Sequence, residues 1–314
     1  MTAIQTATGP IDSAELGFTL MHEHVYSGWS PMMLAYPETF DRAAVLDDAV
    51  TKLKQAHAAG VRTIVDLTPI DLGRDPLLIR DAAEQSGVQI IVATGFYHQV
   101  PFYFNYRPSE EMTALFVRDI TEGIASSGVR AGVIKCATEE QVHRMNDRVL
   151  RASAAAHRQT GVPICTHTSP QHRTGLDQQR IFGEEGVDLG RVVIGHSDDT
   201  DDLAYLEQII DAGSYCGMDR IGLQAPFTTE QRVDTVAALV EKGYADRITL
   251  SHDCCCTIDW MRPDVPATRM PEWRLTHIPQ DVIPMLRERG VSDADIEQMT
   301  IVNPRRIFEA NEPY

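Results

Sequence analysis

His22 and His24 stand one residue apart at the end of a short apolar run, Gly17-Phe-Thr-Leu-Met-His-Glu-His24. In a β-strand, residues i and i+2 face the same way. Both imidazoles would therefore project together from the strand's carboxyl end, as two nitrogen donors for one metal ion. A lone H-x-H arises often by chance. Four later apolar runs end in the same manner. Lys135 lies in Ala131-Gly-Val-Ile-Lys-Cys-Ala137, His167 in Ile164-Cys-Thr-His-Thr168, His196 in Val193-Ile-Gly-His-Ser197, and Asp253 in Thr249-Leu-Ser-His-Asp253. Singly, each has an ordinary explanation: strand-end histidines are commonly just hydrogen-bonded, and Asp often follows a strand. Together they place nitrogen and oxygen donors at one mouth.

Lys135 is the odd member. An ammonium has no lone pair and binds no metal. Desolvation inside an apolar strand lowers its pKa. A neutral amine can add carbon dioxide to give a carbamate, a two-oxygen anion able to bridge two cations. The alternatives are a lysine snorkelling to the surface and an ion pair with Asp253.

The elements that must position these groups alternate along the chain. Eight apolar runs read as strands: residues 18–24, 63–68, 89–95, 131–137, 162–167, 192–197, 215–220 and 248–253. They are continuous rather than alternating, as in a parallel sheet covered on both faces. Helix-like segments lie between them. Residues 41–59 stop at Gly60, 141–160 at Gly161 and 228–242 at Gly243, with glycine as a helix stop. Ser109 is expected to cap another helix. Repeated alternation predicts one (β/α)8 TIM barrel, a single domain over residues 1–314. Its active face is the carboxyl end of the strands. The acidic run Asp198-Asp-Thr-Asp-Asp202 reads as a helix start. Residues 293–309 read as two short helices closing the bottom or flank.

Bulk properties are those of a globular chain of 314 residues, 43% hydrophobic and 23% charged. A formal charge of −17 and a pI near 5.0 argue against nucleic acid or anionic membrane as partners. The N-terminal stretch lacks the positive and apolar regions of a signal peptide. No apolar run approaches the ~20 residues of a membrane-spanning helix. The six cysteines, three of them consecutive at 254–256, lack a disulfide framework and read as reduced thiols. A cytoplasmic location is expected.

At this point the sequence resembles the phosphotriesterase family of the amidohydrolase superfamily, from Gly17 to about Pro304. The motifs that carry the resemblance are Met21-His-Glu-His24, Ala131-Gly-Val-Ile-Lys135, Thr166-His167-Thr168, Ile194-Gly-His196-Ser-Asp, Gly217-Met-Asp-Arg220 and Ser251-His-Asp253. The resemblance implies a distorted barrel with a binuclear metal centre at the carboxyl end of the strands. It implies that His22, His24 and Asp253 hold the more buried ion, His167 and His196 the more exposed one, and carboxylated Lys135 (N6-carboxylysine, from CO2) bridges them. His252, as the neighbour of Asp253, is expected to point away. Histidine and carboxylate ligands suit zinc, with cobalt, manganese or iron as alternatives.

Within the family the chain looks closest to the phosphotriesterase-like lactonases. Tyr97 stands where dedicated phosphotriesterases carry Trp. The loop Ile221-Gly-Leu-Gln-Ala-Pro-Phe227 is short. Cys255-Cys-Thr-Ile-Asp-Trp260 is similar to the lactonase loop that roofs the acyl channel. By this resemblance Tyr97 and Arg220 flank the exposed ion and orient a lactone. On the residues alone they read as a packed mouth tyrosine and an arginine paired to Asp219 or a loop carboxylate. Arg220-Ile-Gly-Leu-Gln224 departs from the Asp-ending variant of enzymes acting on long N-acyl-homoserine lactones and points to simple γ- and δ-lactones. The implied mechanism is hydrolysis by a metal-bridging hydroxide with Asp253 as proton shuttle, and organophosphate triesters as side substrates. Apolar loop residues including Tyr26, Trp29, Met32, Met33, Tyr36, Phe102, Tyr103, Phe104, Tyr106, Phe227, Trp260 and Trp273 would divide between a pocket wall, packing and a homodimer interface. The competing readings are a primary phosphotriesterase and a metal-free binding barrel.

Overall fold

The computed structural model describes residues 3–262, 264–309 and 312–314. Met1 and Thr2, the first residues of the stretch read for a leader, lie outside them. The chain begins with an antiparallel hairpin, β1 (Ala3–Thr6) and β2 (Gly9–Asp12), which the sequence reading did not anticipate. Parallel strands follow: β3 (Thr19–Ser27), β4 (Thr63–Asp66), β5 (Gln89–Gly95), β6 (Val133–Ala137), β7 (Ile164–His167), β8 (Val192–Ile194), β9 (Tyr215–Met218), β10 (Ile248–Leu250) and β11 (Cys254–Ile258). They pair in the order β10-β9-β8-β7-β6-β5-β4-β3-β11.

β10 and β11 are two halves of one strand. The first half pairs with β9 and the second with β3, so the sheet closes into the expected TIM barrel. The break at residues 251–253 shortens the eighth predicted strand. Asp253 sits at φ +54°, a left-handed conformation that a ladder cannot contain. The stretch after it, expected as a loop over the pocket, is therefore a strand as far as Ile258.

Side-chain alternation explains why the runs looked uniformly apolar. Outward residues such as Ile134, Cys136, Ile164 and Ile194 pack against the helices, whereas Val65, Ile91, Ala93, Val133, Cys165 and Val193 point inward. Ile4 of the hairpin and Ile307 and Phe308 of the C-terminal helix Asn303–Glu309 join that inner layer and form its floor. The expectation that residues 293–309 close the barrel's bottom holds.

The helices follow their local signals with two exceptions. Asp41 caps Arg42–Ala58 by accepting from Ala43 and Ala44 N–H, and Thr228 caps Thr229–Glu241. Ser109 does not cap: helix Ser109–Thr121 starts on it, with Pro108 at the cap position. The helix expected from residue 141 begins later, as Arg144–Thr160, where His143 N–H donates to the Asn146 side chain. No described helix is long and apolar enough to cross a membrane.

Gly95 allows close strand contact beside Lys135. Its φ is +106°, and a Cβ there would lie 1.9 Å from the Lys135 carbonyl oxygen. Gly95→Ala should therefore cost roughly 2–4 kcal/mol in urea unfolding. Unchanged stability would contradict this packing.

Candidate metal centre

A β-bulge aims the first two histidines. The β3–β4 register slips between Leu20 and Glu23. Met21 and His22 can then both face inward, Met21 into the inner apolar layer and His22 into the cavity above it. Normal alternation resumes: Glu23 turns outward and His24 inward. Lys135 and His167 sit two residues beyond the inward Val133 and Cys165, one layer higher on β6 and β7. His196 follows the end of β8 with φ +60°.

All six predicted ligand residues line one cavity of about 200 Å3: His22, His24, Lys135, His167, His196 and Asp253. His24 Nε2 lies 3.0 Å and His22 Nε2 3.4 Å from Asp253 Oδ1. Lys135 Nζ is 2.9 Å from His22 Nε2. His167 Nδ1 and His196 Nε2 are 2.7 Å apart. Ligand atoms of His22, His24 and Asp253 lie within 4.8 Å of one another, as do those of His22, His196 and Asp219.

Asp219 was not anticipated as part of the site. One of its oxygens accepts from His22 Nδ1 at 2.7 Å, the other from His196 Nδ1 at 2.8 Å and His196 N at 2.7 Å. A carboxylate has no proton to give, so both imidazoles must carry theirs on Nδ1. Their Nε2 lone pairs then face the cavity, as the inner-shell nitrogens of metal-binding histidines do. The signal is present in Gly217-Met-Asp-Arg220, where the residues alone offer Asp219 or a loop carboxylate as the partner of Arg220. His24 Nδ1 lies 2.8 Å from Thr68 Oγ1, another partner the sequence did not disclose.

The donor chemistry fits divalent ions. Burial pushes the His167 imidazole down to about 4, and lowers His22 and His196. All three are neutral and ligand-competent at neutral pH. Burial also lowers Lys135, against the pull of Asp253. Burial opposes ionisation of Asp253, yet His22, His24, His196 and Arg220 hold its carboxyl well below the usual carboxylate range. Lone pairs and a carboxylate converging with few protons between them are a site for cations.

His252 points away, as expected. It is fully buried, contacts Glu23 Oε1 through Nδ1 at 2.7 Å, and accepts from Ile278 N–H at Nε2. Tyr97 lies edge-on to His167, ring centroids 4.9 Å apart. Arg220 does not pair with Asp219. Its Nε donates to Asp253 Oδ2 at 3.2 Å and its Nη1 to Asp199 Oδ2 at 2.7 Å.

The acidic run resolves into two roles. Asp202 caps helix Leu203–Asp211 as expected. Asp198 and Asp199 are buried beneath the site instead. Asp198 accepts from the backbone N–H of Asp219 and Arg220. Both contact Arg232, a fully buried residue of helix Thr229–Glu241: Nη1 lies 3.0 Å from Asp198 Oδ2 and Nη2 2.8 Å from Asp199 Oδ1. The second contact is close but poorly aligned for a hydrogen bond. Arg232 thus stands behind both aspartates, and through them behind Asp219 and Arg220.

This is a metal-dependent hydrolase barrel. A model of the Phosphotriesterase family matches residues 2–308, and the chain belongs to that family. A "Phosphotriesterase homology protein" of Mycobacterium tuberculosis is 48% identical over 325 residues, covering 100% of each chain. The "Aryldialkylphosphatase" of Saccharolobus solfataricus is 39% identical over 303 residues, covering 95% of this chain and 96% of that one. The solved structure of the phosphotriesterase from Mycobacterium tuberculosis superposes with a TM-score of 0.96 at 48% identity, covering 99% of this chain and 100% of that one.

Removing Arg232 would leave buried Asp198 without its cation and Asp199 with Arg220 alone. Arg232→Met should lower unfolding free energy by about 3–5 kcal/mol in urea. A change below about 1 kcal/mol would mean that the pair contributes no more than a surface salt bridge.

Proposed function

We propose that this chain opens the rings of small neutral lactones, γ- and δ-lactones first and N-acyl-homoserine lactones as a further class, with weaker hydrolysis of organophosphate triesters. The observation that carries this reading is the cavity wall. Beyond the donor set it is made largely of Leu72, Leu223, Ile258, Trp260, Met261, Met270 and Trp273. Among the described residues no charged side chain lines it outside the donors, so a neutral substrate with an apolar tail suits it. A lactone directs one tail away from the reacting carbonyl. A phosphotriester directs three substituents outward and so asks for more of the cavity.

In this proposal His22, His24 and Asp253 would hold one divalent ion and His167 and His196 a second, with Lys135, as N6-carboxylysine formed with CO2, supplying a shared carboxylate; zinc suits the donors, and cobalt, manganese or iron are alternatives. Ions bound there would supply Lewis acidity and lower the pKa of bound water toward ~7. The chain's own contribution is positional. Asp253 turns Oδ1 to the histidines and Oδ2 to Arg220, so its carboxylate can hold a proton at the cavity and return it to the leaving alkoxide. Tyr97 closes the His167 side of the mouth. Arg220, tied to two carboxylates, keeps Asp253 ionised in the resting site and so ready to accept that proton. Cys255, Ile258 and Trp260 come from β11 and the turn after it, and hold the tail away from water.

A second reading, a primary phosphotriesterase, is favoured by the name of the 39%-identical relative. Exposed Trp29, Tyr36, Phe102 and Tyr106 on the loops after β3 and β5 favour a homodimer.

The test is a substrate panel with the metal held constant. γ- and δ-Lactones should turn over at least 100-fold more efficiently than paraoxon-like esters, about 2.7 kcal/mol in the barrier. Equal or reversed efficiencies would favour the phosphotriesterase reading. Lys135→Ala should lower metal content, with added short carboxylic acids restoring part of the activity. Full metal occupancy without Lys135 would exclude the bridging carbamate.

A further inference from the structure

Three of the four cavity histidines are braced from deep inside the barrel: His22 and His196 by Asp219, His24 by Thr68. His167 is braced differently. Its Nε2 lies 3.4 Å from Oε1 of Glu139, a residue two positions beyond the end of β6. That oxygen also lies 3.4 Å from the Tyr97 hydroxyl, which donates to it, and 3.4 Å from His98 Nδ1. The Glu139 side chain is 46% exposed, whereas that of His167 is 7% exposed.

The position matters because of where the His167 proton goes. A neutral imidazole carries one N–H. His196 has committed its proton to Asp219, so its Nε2 lone pair faces His167 Nδ1 at 2.7 Å. Two arrangements are then open to His167. With the proton on Nδ1 it donates to His196 Nε2, and both nitrogens are spent on each other. Its Nε2 lone pair would then face the Glu139 carboxylate, acceptor against acceptor. With the proton on Nε2, directed at Glu139 Oε1 3.4 Å away, Nδ1 and His196 Nε2 present two lone pairs 2.7 Å apart, an arrangement that a cation held between them would relieve.

We infer that Glu139 is a positioning residue that holds His167 in its Nδ1-ligating tautomer, so that occupancy of the more exposed metal position depends on this one carboxylate. The inference rests on the metal centre proposed above. Carboxylate–histidine–metal pairs are a general device for fixing tautomer and ring orientation. Here the carboxylate comes from a partly solvated loop and is shared with Tyr97 and His98. The ion it supports is thereby linked to the loop after β5, while the deeper ion is supported from within the barrel.

The test uses the full chain, stripped of metal and titrated with Zn2+ against a competing chelator. Wild type, Glu139→Gln, Glu139→Ala and the neighbouring exposed Glu140→Gln are compared. Wild type and Glu140→Gln should take up two ions. Glu139→Ala should bind the second ion 10–100-fold more weakly, the range typical for loss of such a partner. Glu139→Gln, which still accepts a hydrogen bond but carries no charge, should fall between them. The first ion should be unaffected, and the melting temperature of the metal-free proteins should not change. In zinc-loaded wild type, 15N spectra should show His167 protonated on Nε2 and ligating through Nδ1, and Glu139→Ala should lose that signature. Wild-type affinity for both ions in both Glu139 variants would overturn the inference and leave the metal centre standing. Equal weakening of both ions would overturn it too, as a general charge effect. Wild type that takes up fewer than two ions would overturn the centre itself and this assignment with it.

Discussion

The site depends on a carboxylate that faces away from the cavity. Asp219 accepts a hydrogen bond from the inner N–H of His22 and another from that of His196. Those two hydrogen bonds fix the tautomers, and the tautomers decide that lone pairs rather than N–H groups point into the cavity. Without that choice the same residues at the same positions would hydrogen-bond one another and offer nothing to a cation. Asp219 is in turn held through its backbone by Asp198, and Asp198 by Arg232, so the polarity of the mouth is set several contacts away from it.

Such a chain of buried charge is expensive unless each member is compensated. The barrel provides the compensation through geometry. Successive inward positions on one strand form layers: apolar at the level of Val133, Cys165 and Val193, polar one step higher at Lys135 and His167. The lower layer keeps water from beneath the donors and lowers the pKa of Lys135 by desolvation. The upper layer opens to the apolar wall and to solvent. Ordinary strand alternation thus separates a dry floor from a reactive surface within two residues.

Irregularities appear where a donor must be aimed. The bulge near His22 turns adjacent residues to the same side. His196 and Asp253 both adopt left-handed backbone conformations, and Asp253 does so where one strand ends and the next begins pairing with β3. A regular ladder would have carried these side chains to other faces.

Much of the centre was legible in the sequence because ligand chemistry restricts residue type and strand ends restrict place. His22, His24, Lys135, His167, His196 and Asp253 could be named as a group, and the structure brings them to one cavity. The strand–helix alternation and most helix stops were legible for the same reason, since caps and periodicity are local. The supporting residues were not. Asp219 read as one of two possible partners for its neighbour and Asp198 and Asp199 as part of a helix start, while Glu139 and Arg232 gave no local signal. Their roles arise from contacts between residues distant in sequence, such as the 197 positions between His22 and Asp219. The N-terminal hairpin and the division of the eighth strand were hidden likewise, because closure of a sheet depends on which edges meet. Local sequence determined which groups could do chemistry; only the closed barrel decided which nitrogen of each ring would face the cavity, because a tautomer is set by the neighbour across the fold and not by the neighbour along the chain.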